Sequence, residues 1–181
     1  FFSFLHIPVQ SGSDRVLALM CRGYHVTDIL HIISIFRSEM PDITIATDFI
    51  AGFPGETEDD HQKTLHLLHM MKPGMVNVTR YSWRPGTGMD HEGELPDRIC
   101  KDRFREIIHH AYEMLLRANE VKTGRIMQVV TTESPKPGSA MARSSSYEGV
   151  VIKKDIPPGT LCTVKITECT PHYLVGELVP T

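Results

Sequence analysis

One stretch limits the fold of this chain more than any other: Thr44-Ile45-Ala46-Thr47-Asp48-Phe49-Ile50-Ala51-Gly52-Phe53-Pro54-Gly55-Glu56-Thr57-Glu58. Its first part, from Ile43 to Ile50, is a β-branched, mostly apolar run with the length of a strand buried on both faces. Gly52, Pro54 and Gly55 then break the chain, and Thr57 with Asp60 three residues later reads as the cap of a helix. Strand, glycine turn and helix in that order predict a parallel α/β unit. Asp48 stands out within it, because an ionised carboxylate near the end of a buried strand is costly unless it is paired, hydrogen-bonded or facing a ligand. Ligands gather at the carboxyl ends of strands in parallel α/β folds. The stretch therefore points to a polar small molecule lying against the turn; a tight βα turn with a solvated Asp is the other reading.

The same grammar recurs on either side. Residues 1–10 read as a strand ending in His6-Ile7-Pro8-Val9-Gln10, and Ser13 is the expected cap of a short helix carrying Val16, Leu17, Leu19 and Met20. A second helix is expected from about Thr27 to Met40, with Leu30, Ile33 and Phe36 on one face, ending before Pro41. A third runs from about Glu58 to Met71 and is stopped by Pro73-Gly74. Met75 to Trp83 reads as a strand and Arg84-Pro85-Gly86-Thr87-Gly88 as a loop. Asp97 then caps the longest helix, whose apolar stripe is Phe104, Ile107, Ile108, Ala111, Met114, Leu115 and Ala118. The fold class of residues 1–122 is thus α/β with parallel strands, and three strand–helix units are too few for a closed eight-stranded barrel. After Gly124 come short β-branched runs divided by Gly and Pro: Ile126–Thr131, Ala140–Ser144, Gly149–Ile152, Leu161–Thr167 and Tyr173–Leu178. Residues 123–181 are expected to form a small all-β barrel of the nucleic-acid-binding kind.

With 41% apolar residues the chain can bury a core, and it has no apolar run near the roughly 20 residues of a membrane span. It reads as soluble and cytoplasmic, with no membrane partner. Cys21, Cys100, Cys162 and Cys169 form no C-x-x-C pair, which argues against a disulfide framework or a zinc site and fits a reducing compartment. His66 with His69, and His109 with His110, lack metal-site spacing and read as solvated helix residues; His6 is expected to pack beneath the turn. The chain opens at Phe1-Phe2-Ser3-Phe4-Leu5, inside a strand-like run, as expected of a fragment of a longer protein. Net charge is −3, with 13 Lys+Arg against 17 Asp+Glu in residues 1–122 and 6 against 5 beyond. A nucleic acid would therefore meet local patches rather than a bulk basic field. In the tail, Arg143, Tyr147, Lys153, Lys154 and Tyr173 interleave cations with aromatics, a pattern suited to phosphates and to stacking on unpaired bases.

Three motifs fall on the same end of the sheet: His6-Ile7-Pro8-Val9-Gln10-Ser11-Gly12-Ser13 with Met20-Cys21-Arg22, then Thr47 to Thr57, then Tyr81-Ser82-Trp83-Arg84-Pro85-Gly86-Thr87. In this order they closely resemble the second half of the radical S-adenosylmethionine (β/α) barrel of methylthiotransferases. Gly149-Val150-Val151-Ile152 and Thr170-Pro171-His172-Tyr173-Leu174-Val175-Gly176-Glu177-Leu178 resemble the OB-like TRAM domain that ends those enzymes. The resemblance implies reductive cleavage of S-adenosylmethionine at a [4Fe–4S] cluster, with a second [4Fe–4S] cluster in sulfur transfer, and insertion of a methylthio group into a modified adenosine beside the tRNA anticodon. The cluster-binding cysteines of the family would precede Phe1, so this piece is expected to hold neither cluster and to be catalytically silent alone.

Carried over residue by residue, the resemblance implies that Gln10 meets the ribose or methionyl part of S-adenosylmethionine, that Arg22 takes its carboxylate, and that Asp48 takes ribose hydroxyls. Backbone from Ile50 to Gly52 would pass the adenine. These groups are expected to share one cleft, with Tyr81 and Arg84 where a substrate enters and no residue assigned to catalysis. The tail would grip the anticodon stem-loop. Ala142-Arg143-Ser144 and Tyr147-x-x-Val150-Val151 favour N6-threonylcarbamoyladenosine as substrate nucleoside. Isopentenyladenosine, a ribosomal-protein aspartate, a small-molecule substrate and a non-catalytic RNA-binding module are the alternatives, and the sulfur and electron donors stay unassigned.

Overall fold

The structure, a computed structural model, describes residues 2–83 and 93–180. Its elements are β1 (Phe4–His6), α1 (Asp14–Leu19), α2 (Val26–Glu39), β2 (Thr44–Ala51), α3 (Glu58–Met71), β3 (Met75–Arg80) and α4 (Asp97–Glu120). Then follow β4 (Ile126–Lys136), β5 (Ser139–Ser144), β6 (Gly149–Ile152), β7 (Leu161–Cys169) and β8 (Leu174–Leu178). Two compact units result, one of residues Phe1–Leu5, Asp42–Thr44 and Glu113–Thr181, the other of His6–Pro41 and Ile45–Tyr112. No helix among the described residues is long and apolar enough to cross a membrane.

A three-stranded sheet runs β1-β2-β3. β2 and β3 are parallel, with Asp48 opposite Asn77 and Ile50 opposite Thr79. The β-branched β2 buries Ile45, Thr47, Phe49 and Ala51 on one face, while Asp48 and Ile50 are half-buried on the other. Gln10 joins β2 beyond the end of β1: its N–H donates to the Asp48 carbonyl at 2.8 Å and its carbonyl accepts from Ile50 at 2.9 Å, in a parallel bridge.

Each helix boundary has a local cause. At the start of α3, Thr57 Oγ1 accepts from the Asp60 N–H and the Asp60 carboxylate accepts from the Thr57 N–H, the expected reciprocal cap. The same helix ends where Lys72 turns left-handed, at φ 43°, ahead of Pro73. Asp28 accepts from the His25 N–H at the start of α2. Ser13, by contrast, does not cap α1; its hydroxyl donates to Asp60 instead, at 2.6 Å. Ala118 is exposed, so the apolar stripe of α4 narrows to Ile107, Ala111 and Leu115, flanked by half-buried Phe104, Ile108 and Met114.

The first of the two units holds a closed barrel in the order β4-β5-β6-β8-β7. All neighbours are antiparallel except β6 and β8. Alternate residues point inward, and Val129, Ala140, Ala142, Val150, Ile152, Val164, Ile166 and Leu174 form the core. Each large aliphatic side chain among them contributes about 1.5–3 kcal/mol by burial. Gly176 continues the inward series of β8, because a Cβ there would stand 3.0 Å from that of Val164. Closure removes every sheet edge, which is how five short strands hold together without a helix.

Candidate functional site

A pocket of about 520 Å³ opens at the carboxyl ends of β2 and β3. Its wall is the turn after α1, with Met20, Cys21 and Arg22; its floor is Ile50, Phe53, Thr79 and Tyr81. Phe53 and Tyr81 meet edge to face with centroids 5.2 Å apart, a contact that fixes the floor from two successive βα turns. The turn bearing Arg22 is held by its own backbone: Cys21 is left-handed at φ 55°, and the Arg22 N–H donates to the Leu17 carbonyl at 2.9 Å. Arg22 is exposed and has no carboxylate partner among the described residues. An unpaired guanidinium over an apolar, aromatic floor suits a planar ligand bearing a carboxylate.

Of the expected cofactor residues, the structure brings Arg22 and Ile50 onto this pocket; Gln10, Asp48 and Gly52 do not line it. Gln10 is 92% buried and left-handed at φ 72°, stitched to β2 through its backbone. Asp48 has both carboxylate oxygens engaged, by His6 Nε2 at 2.8 Å and by the Asn77 amide at 2.9 Å. His6 does not pack beneath the turn: its side chain is 46% exposed. Gly52 is required for a reason other than clearance for a ligand. At φ 75° it sits where a Cβ would come within 2.4 Å of Cys100 Sγ, so what its bare backbone admits is α4. Arg84 lies outside the described residues.

Beneath the turn is a network that sequence reading did not foresee. Glu56, 4% exposed, accepts from the Gly52 N–H at 3.0 Å and from the Arg103 guanidinium at 2.9 Å. Arg103 also donates to the Glu56 carbonyl and reaches Glu58 at 3.3 Å, while its Nε is buried without a partner. Burial pushes the Glu56 carboxyl above its ordinary value, and Arg103 and the Gly52 N–H offset part of that rise. Asp60, 2% exposed, collects donors from Ser13, Thr57 and Arg15. Burial alone would raise its carboxyl, yet those donors hold it well below the usual carboxylate range. One signal was present. Arg103 sits on the same stripe as Cys100, Ile107 and Ala111, and a cation on a buried stripe demands an acid opposite.

In the barrel unit the expected RNA-facing residues form two groups. Arg143 lies over the Tyr147 ring at 4.5 Å and donates to the Tyr147 carbonyl. Phe2 and Phe4 also pack on that ring, with centroids 5.0 and 4.8 Å away. Tyr147 is thus engaged in packing rather than standing free to stack. Tyr173 is exposed beside this group, its Cβ 3.7 Å from where a side chain at Gly149 would begin. Lys153 and Lys154, both exposed, line a separate groove of about 290 Å³ with Thr167, Val175 and Glu177, and Lys153 pairs with Glu168 at 3.1 Å.

Comparison with known proteins agrees with this two-part construction. Residues 2–68 match the Radical SAM superfamily and residues 120–179 match the TRAM domain. Over 98% of its length it is 38% identical to a protein of Archaeoglobus fulgidus named "Probable threonylcarbamoyladenosine tRNA methylthiotransferase", covering 41% of that protein. It is 36% identical over 97% of its length to a protein of the same name in Methanothermobacter thermautotrophicus, covering 41% of it. It is 35% identical over 96% to the "tRNA-2-methylthio-N(6)-dimethylallyladenosine synthase" of Mycobacterium leprae, covering 36% of it. The chain spans about two fifths of the length of these curated relatives. Among its described residues no three His, Cys, Asp or Glu side chains converge as a metal-ligand group. They do not fit an iron–sulfur cluster.

Proposed function

We propose that this chain is the C-terminal portion of a tRNA methylthiotransferase, comprising part of the parallel radical S-adenosylmethionine barrel and the TRAM domain. The observation that carries the reading is the pocket at the ends of β2 and β3, lined by Arg22, which has no carboxylate partner among the described residues, and by an aromatic floor, in a chain related along almost its whole length to such enzymes. The residues present fit S-adenosylmethionine. Arg22 would hold the methionyl carboxylate, and Ile50 and Phe53 would lie against the adenine. When bound there, S-adenosylmethionine supplies the one-electron chemistry of the family.

The TRAM barrel delivers RNA, with Lys153, Lys154 and exposed Tyr173 as its contacts and Arg143 with Tyr147 forming a braced cationic corner. The substrate nucleoside is N6-threonylcarbamoyladenosine next to the anticodon, in the cytoplasm, a reading supported by the archaeal relatives at 38% and 36% identity. Deletion of the gene, followed by mass spectrometry of digested tRNA, tests both parts. The expected result is loss of 2-methylthio-N6-threonylcarbamoyladenosine, restored by the intact gene. Loss of the isopentenyl analogue instead moves the substrate, and unchanged tRNA nucleosides refute the function.

A further inference from the structure

The sheet face that continues from the pocket carries a polar group that the preceding assignments leave unused. His6, Asp48 and Asn77 come from three successive strands and form one line: the imidazole Nε2 meets one Asp48 oxygen at 2.8 Å, and Asn77 donates to the other at 2.9 Å. Asp48 and Asn77 are register partners, as are Ile50 and Thr79, two residues nearer the carboxyl ends. Alternation puts both pairs on the same face, about 7 Å apart along the strands. Ile50 and Thr79 line the pocket, and the His6 line stands two residues back from them on the same face, at the pocket's edge rather than in its lining.

Each Asp48 oxygen already accepts one hydrogen bond, and the His6 side chain is 46% exposed against 29% for Asp48, so the imidazole is the more accessible of the two to a ligand's hydroxyls. An imidazole with one nitrogen fixed by a carboxylate presents its other nitrogen in a set tautomer and orientation. In the neutral ring, with the Nε2–H donated to Asp48, Nδ1 is the acceptor, and the side chain is 46% exposed. Asn77 fixes Asp48 from the far side, so the acceptor is aimed by two side chains rather than by one flexible contact.

We infer that His6, not Asp48, meets the ligand on this face: its Nδ1 accepts a hydrogen bond from a hydroxyl of the nucleoside in the pocket, and Asp48 and Asn77 are positioning residues. The inference rests on the S-adenosylmethionine reading above and reassigns the Asp48 role expected from sequence. A double-mutant cycle on the full-length protein tests it, with S-adenosylmethionine affinity read by equilibrium dialysis. His6→Ala is expected to weaken binding about tenfold, as for one lost hydrogen bond. Asp48→Ala should weaken it less, and should add nothing once His6 is gone. His6→Asn, which keeps an acceptor near the Nδ1 position, should recover part of the loss, whereas a purely structural role for the ring predicts no recovery. Circular dichroism of each variant confirms the fold. Equal affinity of His6→Ala and wild type overturns the inference and leaves the cofactor reading intact. So does a further loss from Asp48→Ala in the His6→Ala background, which makes Asp48 a direct contact. A wild-type protein that binds no S-adenosylmethionine refutes the cofactor reading and the inference together.

Discussion

Replacing Arg103 by Met should be among the most damaging single changes in the sheet unit. Arg103 is 7% exposed and Glu56 4%, and their 2.9 Å contact is the principal compensation for a carboxylate that also holds the Gly52 N–H. Removing one partner of a buried pair leaves the other charge uncompensated, at a cost of about 3–5 kcal/mol. For a chain of this size that corresponds to a fall in Tm of roughly 6–20 °C. The chain has a single tryptophan, Trp83, in the same unit, so urea unfolding followed by its fluorescence reports this unit directly. Glu56→Gln combined with Arg103→Met should recover much of the loss, since the stranded charge is then absent. The deficit should also depend on pH in a definite direction. Burial raises the folded Glu56 carboxyl above its ordinary 4.5, and losing Arg103 removes what opposes that rise. Above the ordinary value the folded variant then binds more protons than the unfolded chain, so its stability falls as pH rises. Arg103→Met should accordingly stand further below wild type at pH 8 than at pH 5. A loss under about 1 kcal/mol, or a double variant no milder than Arg103→Met, would show that the pair does not carry the turn.

Four further outcomes follow from other contacts. Asp60 is ionised in the fold well below its ordinary 3.8, so wild-type stability should be complete at neutral pH and drop as pH falls below about 4; Asp60→Asn should flatten that drop in an acid titration of unfolding midpoints. Gly52→Ala combines a left-handed φ with a Cβ 2.4 Å from Cys100 Sγ and should cost about 1–3 kcal/mol in the urea assay, partly relieved by Cys100→Ala. Arg22→Ala in the full-length protein should weaken S-adenosylmethionine binding by about 1.5–3 kcal/mol in equilibrium dialysis with no change in Tm, because Arg22 is exposed and has no carboxylate partner among the described residues. Lys153→Ala with Lys154→Ala should lower tRNA affinity and reduce the slope of log K against log salt by about 1.4–1.8, as for two phosphate contacts; an unchanged slope would place the RNA elsewhere.

Much of this fold was legible because its signals are local. The Gly52-Phe53-Pro54-Gly55 break, the Thr57–Asp60 cap and the Pro73 stop are read from neighbours in sequence, and α3 begins at Glu58 and ends at Met71 as they require. The tail was legible for the same reason, since Gly or Pro marks the divisions β4–β5, β6–β7 and β7–β8, and a Ser-rich turn marks β5–β6. Ser13 was misread because capping propensity is blind to a stronger acceptor. Asp60 stands 47 positions away and takes its hydroxyl at 2.6 Å. Expected residues that depend on two distant segments meeting fared less evenly. Arg22 and Ile50 reach one pocket because both sit on turns at the same sheet end, whereas Gln10 is held by its backbone and Asp48 is satisfied by its neighbours.

The same distinction explains the barrel surface. From sequence, Tyr147 and Tyr173 are equivalent aromatics among cations, and each could stack on a base. The structure separates them by what surrounds each ring. Tyr147 has Arg143 at 4.5 Å over its ring and Phe2 and Phe4 packed at 5.0 and 4.8 Å, so offering its face to a base would first require undoing contacts worth about 0.5–1.5 kcal/mol each. Tyr173 carries no such cost and is 39% exposed. An RNA base should therefore choose Tyr173, and Tyr173→Ala should lower tRNA affinity without altering stability. Tyr147→Ala should do the reverse, destabilising the barrel unit through loss of the Phe2 and Phe4 packing. Equal effects of the two substitutions on RNA binding, with neither affecting stability, would mean that the aromatic cluster opens when RNA arrives.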